Sequence, residues 1–323
     1  MTALLGQGEE YSELLRRARS MRMHHGLLLT GPVGVGKSTA AREIARTLLC
    51  EGEDPSAACG ECASCRQLEV HPDLHEVVIP VDKEEIPVDL VRELRESLMR
   101  LPVGGRARVV VIDPADRLNT QGQNALLKTL EEPGRDTFLI LPTARPDSLL
   151  ATVRSRVAEH RVSPLDQGVL EAELCGRFPD RTPADRSWAA GLAEGSLGRA
   201  EGLLSEENRP LFGLIEDFVL RGAGTPVAVA RAALEGASGR IATVEKALWT
   251  VWIVRTILRK ELLGSLATGA TGPYFAATSV RWTTQIESLL AAESDLYQRI
   301  PPEQVLVGVF LSIVRPAATG SAG

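Results

Sequence analysis

Nine residues, Gly31-Pro32-Val33-Gly34-Val35-Gly36-Lys37-Ser38-Thr39, carry the most specific chemistry in this chain. They fit GxxxxGK[ST], a loop whose backbone N–H groups wrap phosphates while the lysine and hydroxyl handle charge and Mg²⁺. Lys37 is placed to reach the β- and γ-phosphates and Ser38 to ligand the metal. Further on, Val109-Val110-Val111-Ile112-Asp113 reads as an apolar strand ending in a metal-holding Asp. Position 114, where an NTPase of this type places a carboxylate to orient water, is Pro. Asp116 lies three residues past Asp113 and is expected to project elsewhere if the strand runs on. Phosphoryl transfer to water is mostly positioning and electrostatics, so a site without that carboxylate is expected to hold nucleotide without cleaving it.

A second constellation follows the loop. Cys50, Cys59, Cys62 and Cys65 form C-x₈-C-x₂-C-x₂-C. Thiolates at this spacing can converge on Zn²⁺, and four sulfurs close the tetrahedron, so the site is structural and not catalytic. Disulfide pairing is the competing reading, and a cytoplasmic chain disfavours it. His71 and His75 lie close in sequence but are surplus to a filled tetrahedron. Cys175 is read as a buried small apolar residue.

These groups need a scaffold. Residues 26–30 form a short buried-strand pattern ahead of the loop, and a helix is expected over 37–49. Further strands are expected at 75–79, 108–113 and 137–141, with helices at 87–101 and 121–130 between them. Such alternation predicts a parallel sheet covered on both faces, with ligands at the carboxyl ends of the strands. After residue 165 the strand signals stop. Residues 166–204 read as a small helical unit with turns at Phe178-Pro179-Asp180 and Glu194-Gly195-Ser196. From residue 206 the pattern is long amphipathic helices. Val244, Ala247, Leu248, Val251, Trp252, Ile257 and Leu258 form one stripe, while Ile286, Leu289 and Leu290 begin another. The tail, 317–323, is expected to be disordered.

Composition narrows the function classes. Hydrophobic residues make up 44% and charged residues 24%, as in an ordinary globular protein. Aromatics are only 4%, which disfavours base-stacking platforms. A net charge of −6 argues against nonspecific coating of DNA while leaving room for a local basic surface. No segment has the layout of a signal peptide, and the longest apolar runs, such as 305–314, are too short to span a bilayer. The expected location is the cytoplasm, without membrane contact. Lysines are few and arginines many, which reflects composition bias. Arg92, Arg95 and Arg100 recur on one side of a predicted helix, facing either phosphates or plain solvent.

In this order, the motifs resemble the clamp-loader branch of the AAA+ superfamily, and within it the delta-prime family. Gly6-Gln7, His24-His25-Gly26 and the phosphate loop match the opening of that family. The four cysteines match its zinc module, and His71-Pro72-Asp73 the segment after it. The most specific block is Asn124-Ala125-Leu126-Leu127-Lys128-Thr129-Leu130-Glu131-Glu132-Pro133. Leu149-Leu150-Ala151-Thr152-Val153-Arg154-Ser155-Arg156 is similar to the segment ending in Ser-Arg-Cys, with Val157 in place of Cys. Gly195-Ser196-Leu197-Gly198-Arg199-Ala200 matches the lid. The likeness covers residues 1–205.

What this resemblance implies is an α/β fold: a P-loop AAA+ domain with zinc module over 1–165, a helical lid over 166–205 and an all-helical collar over 206–323. It implies a stator in a five-subunit loader that places a sliding clamp on primer–template DNA, beside motor subunits and a delta subunit. Structural Zn²⁺ would sit on the four cysteines. ATP or ADP with Mg²⁺ would contact Gly31, Gly34, Gly36, Lys37, Ser38, Thr39, Asp113, the sensor position Thr143 and the lid residue Arg199. Arg156 would be given in trans to a neighbour's ATP site. The competing class is the ATP-hydrolysing motor of the same assembly, and Pro114 discriminates against it. A stand-alone nucleotide-dependent regulator is a third class, disfavoured by the 124–133 and 154–156 blocks.

Overall fold

The computed structural model describes residues 6–54, 56–80, 83–98, 103, 106–267, 273–298 and 300–314. The chain divides into two compact units, Met1–Gly202 and Leu203–Gly323.

In the first unit, α1 (Glu9–Arg19) leads into β1 (Gly26–Thr30), α2 (Lys37–Leu49) and the short α3 (Ala63–Arg66). Next come β2 (Leu74–Val77), α4 (Val88–Leu98), β3 (Arg108–Ile112), α5 (Thr120–Glu131) and β4 (Thr137–Thr143). Then follow α6 (Ala151–Arg154) and β5 (Ala158–Arg161). The sheet is parallel throughout, in the order β2-β3-β4-β1-β5.

Every residue of β1, β3 and β4 is buried, as strands covered on both faces require. Alternate residues feed two cores. Leu27, Leu29, Val109, Val111 and Ile140 pack with Ile44 and Leu48 of α2. Leu28, Val110, Ile112, Leu139 and Leu141 pack with Val91 of α4 and Leu126 and Leu130 of α5. Ile44 and Leu48 are fully buried, so truncating either to Ala should cost about 2–5 kcal/mol.

Two expected strand ends shift. Strand β2 ends at Val77, not Ile79, because its partner β3 ends opposite it at Ile112. Val78 beyond it is 55% exposed. Strand β4 runs on to Thr143. The polar edge strand β5 and helix α1 had no expected counterpart, since Ala-Glu-His-Arg offers no β-branched run. The part of the 87–101 helix that includes Arg100 lies outside the described residues, as does the tail 317–323.

The first unit closes with α7 (Gln167–Arg177), α8 (Pro183–Leu192) and the start of α9 (Leu197–Leu204). Helix α7 buries Leu170 and Leu174. Cys175 falls off that face and is exposed, contrary to the buried reading.

The second unit holds α10 (Asn208–Arg221), α11 (Pro226–Leu234), α12 (Gly239–Ala267), α13 (Pro273–Tyr297) and α14 (Pro302–Val314). Phe218 of α10 meets Phe310 of α14 edge-on, with ring centroids 5.0 Å apart. Residues 251–254 of α12 are buried on every side, because α10, α11, α13 and α14 all pack against that helix. Its expected stripe is buried except for the half-buried Leu248, whereas Leu290 of the second stripe is 54% exposed.

Candidate functional site

The strand order sets the site. Strand β4 lies between β1 and β3, so the phosphate loop after Thr30, Asp113 after Ile112, and Thr143 share the carboxyl edge of three adjacent strands. Thr30 and Thr143 are register partners. The loop glycines take backbone angles that other residues rarely adopt, with φ of 146° at Gly31, 77° at Gly34 and 103° at Gly36. Helix α2 then starts without a side-chain cap, leaving its first N–H groups to an anion. Uncapped N–H groups, a lysine and a hydroxyl on one helix end fit a nucleotide's phosphates.

Lys37 is turned inward, donating to the carbonyls of Gly31 at 2.9 Å and Pro32 at 2.7 Å. Burial brings its pKa down to about 8, against the opposing pull of Asp113 and Asp116. Burial also raises the Asp113 carboxyl above its ordinary value, partly offset by a hydrogen bond from Ser38 and by Lys37. Thr39 is exposed on the first turn of α2.

Asp116 does not project away. The strand stops at Ile112, a 3₁₀ turn over Ala115–Arg117 doubles the chain back, and Asp116 accepts a 2.7 Å hydrogen bond from the Thr143 hydroxyl. Pro114 contributes no carboxylate.

The helical segment after β5 touches the loop tip. Ser196 donates to the carbonyl of Val33 and the Gly198 N–H to that of Gly34, each at 3.2 Å. A Cβ on Gly34 would stand 2.5 Å from the Ser196 hydroxyl, which explains the small residues on both sides. Arg199 is nearby and paired with Glu194 at 3.1 Å, its side chain 12% exposed. Gln7 holds the exit of β5 through both backbone groups of Ser163.

Arg156 sits at the other end of the sheet. Its carbonyl lies 3.2 Å from a Cβ built on Gly26, the first residue of β1, whereas the phosphate loop follows the last. The length of β1, about 13–16 Å, separates the two. Its guanidinium is held by Glu131 at 2.7 and 2.9 Å and by the carbonyl of Thr152 at 3.0 Å. Val157, the departure from Ser-Arg-Cys, packs against Gly26 and the core beside it. The 124–133 block acts as scaffold here. His25 bonds the carbonyl of Leu130, and Gln123 joins the carbonyls of Leu118 and Ser148 to the N–H of Leu150.

At the far end of α2, the sulfurs of Cys50, Cys59, Cys62 and Cys65 lie within 4.8 Å of one another, with no disulfide. Tetrahedral Zn²⁺ at its usual bond length places sulfurs about 3.8 Å apart, so the cluster fits a metal ion. N–H groups of Gly52 and Cys59 point at Cys50 Sγ, and that of Cys65 at Cys62 Sγ. Backbone N–H groups of Cys62 and Glu61 bring the Cys59 thiol down to about 6, while burial pushes Cys65 up. His71 bonds Ser64 and the backbone of Asp73, outside the cluster.

Two arginines anchor this module, a role the sequence reading missed. Arg19, 7% exposed, donates to the carbonyls of Cys50, Gly52 and Asp54, and Arg106 to those of Leu48 and Arg19. Cations there also suit the carboxyl end of a helix. Arg92 is exposed and paired with Asp89.

A family model described as "DNA polymerase III, delta subunit" matches residues 6–166. The chain is 38% identical over 164 residues to the DNA polymerase III subunit delta' of Pseudomonas aeruginosa, covering 50% of this chain and 49% of that protein. It is 36% identical over 157 residues to subunit delta' of Escherichia coli K12, covering 48% and 47%. The gamma/tau subunit of Mycobacterium tuberculosis is 36% identical over 158 residues, covering 48% of this chain and 27% of that one. The chain spans about half the length of the delta' relatives it matches. Among the described residues, no helix is long and apolar enough to cross a membrane. Through residues 6–166, this chain belongs to the DNA polymerase III delta' family.

Proposed function

We propose that this chain is the stator of a DNA polymerase III clamp loader, a cytoplasmic protein that helps place a sliding clamp on primed DNA. The observation that carries the reading is the position of Arg156. It lies a strand's length from the chain's own phosphate loop, on an exposed ion pair with Glu131. From there it serves a neighbouring motor subunit, where a guanidinium stabilises the charge on a transferring phosphoryl group, worth about 10³–10⁵ in rate elsewhere. Pro114 supports the same reading, since the chain's own site has no carboxylate there to orient water.

On this reading residues 1–165 form the nucleotide-binding domain, 166–205 the lid, and 206–323 a collar that joins the motor subunits and the delta subunit in a hetero-pentamer. The loop glycines, Lys37 and Ser38 hold ATP or ADP with Mg²⁺ beside Asp113, Thr143 and Arg199. Zn²⁺ on the four cysteines stabilises the loop between α2 and α3. A second reading, the gamma/tau-like motor, draws on the intact loop, on Asp116 beside Thr143, and on the 36% identity to gamma/tau.

The test is ATP turnover by the reconstituted five-subunit assembly with clamp and primed DNA, comparing Arg156→Ala with Lys37→Ala in this chain. Loss of turnover from Arg156→Ala, with Lys37→Ala nearly silent, is expected. The reverse pattern would reassign the chain as a motor.

A further inference from the structure

A third phosphate needs donors. Among the side-chain donors near the loop, Lys37 and Arg199 carry several protons each, whereas the Thr143 hydroxyl has one. The Thr143 residue is fully buried. A carboxylate only accepts, so that proton goes to Asp116 at 2.7 Å, while the oxygen accepts the N–H of Arg145 at 3.0 Å. A phosphoryl oxygen, itself an acceptor, finds no proton on Thr143. Arg199 is tied to Glu194 with little exposure. Lys37, with a third proton beyond the two given to the carbonyls of Gly31 and Pro32, serves the phosphates of either nucleotide.

A diphosphate asks less. Its charge is met by the backbone N–H groups of the loop and the uncapped start of α2, neither of which involves Thr143. Asp116 also adds a second carboxylate to the one at Asp113, and both act on Lys37. Each added negative charge weighs against the more highly charged ligand.

We propose that this nucleotide site is blind to the third phosphate. It takes a nucleoside diphosphate with Mg²⁺ as tightly as a triphosphate, because Asp116 holds the hydroxyl that would otherwise distinguish them. The inference rests on the reading of this loop as a nucleotide site. Its consequence is a stator whose nucleotide is a fixed structural ligand and not a timing signal.

Calorimetric titration of the full chain with MgADP and with a non-hydrolysable magnesium triphosphate analogue tests it. The wild-type dissociation constants should agree within about threefold, well under one hydrogen bond to a charged group. Asp116→Ala frees the Thr143 proton and should move the ratio about tenfold toward the triphosphate. In the Asp116→Ala background Thr143→Val should erase the gain, whereas a gain that survives would mean that Asp116 acts by its charge and not through the Thr143 hydroxyl. Circular dichroism checks that each variant folds. If Asp116→Ala does not fold, Asp116→Asn removes the charge while keeping an acceptor, and a smaller shift in the same direction is expected.

A wild-type preference of about tenfold for the triphosphate would overturn the inference while leaving the nucleotide reading intact. So would an unchanged ratio in a folded Asp116→Ala. Binding of neither nucleotide, with Lys37→Ala equally silent, would remove the nucleotide reading itself and the inference with it.

Discussion

The two ends of α2 are prepared in opposite ways. At its carboxyl end, Cys50 joins three other thiols whose sulfurs face one another, with backbone N–H groups turned toward them. At its amino end, Lys37, Thr143 and Arg199 already hold partners from the protein itself. The first arrangement favours a metal ion, since thiolates gathered this closely repel unless they are protonated or bound to a cation. In the second those side chains are satisfied without one, while the uncapped N–H groups at the start of α2 still await an anion. The difference teaches that a matching motif guarantees the groups and not their availability.

The largest effect should come from the cysteine end. Cys62→Ser or Cys65→Ser removes one of the four ligands and should cost about 3 kcal/mol, roughly 6–12 °C in melting temperature. Metal analysis of the reduced protein should find one zinc per chain in the wild type and less in either variant. A metal-free wild type with an unchanged melting temperature would collapse the contrast between the two ends.

At the amino end, Gly34→Ala combines a φ of 77° with a contact 2.5 Å from Ser196. It should destabilise the first unit by about 2 kcal/mol. Denaturant unfolding measures this, and a neutral result would mean that the loop and the 195–199 segment are not held together as described.

Lys37 adds a pH dependence. Its folded pKa of about 8 lies below the ordinary 10.5, so between those values the unfolded chain binds more protons. Unliganded stability should therefore rise from pH 8 to 10.5. Phosphate draws the proton back, so nucleotide affinity should fall above pH 8 by up to about tenfold per unit. The slope should vanish in Lys37→Ala. A flat profile in the wild type would show that Lys37 is not the group meeting phosphate.

The smallest effect belongs to the fifth cysteine. Cys175 is exposed and apart from the cluster, so Cys175→Ser should stay within about 0.5 kcal/mol with zinc content unchanged. A loss comparable to that of Cys62→Ser would assign the thiols wrongly.

Much of the fold was legible because its signals are local. A glycine-rich turn between an apolar run and a helix start, and β-branched runs spaced by helices, gave β1, α2, β3 and α5 nearly to the residue. Edge strand β5 escaped because three of its four residues are polar and its pairing with β1 is what makes it a strand. Asp116 was misjudged because its direction depends on where β3 stops, one residue before Asp113. Glu131 as the partner of Arg156, and Arg19 as the anchor of the cysteine loop, carry no local signal at all. They are separated from their partners by 25 residues and by 31 to 35 residues respectively.

The sequence by itself determined the inventory: three loop glycines, Lys37, four thiols at metal spacing, a proline at 114 and an arginine at 156. Residue type and spacing fix which chemistry a segment can offer, because backbone freedom, charge and ligand hardness belong to the residue. Only the tertiary structure decided which of those groups face a ligand and which face the protein. The order β2-β3-β4-β1-β5 brings Asp116 to Thr143 and leaves Arg156 at the opposite edge. Such pairings are set by which strands lie side by side, and hydrogen-bond partners follow from that adjacency in space and not along the chain.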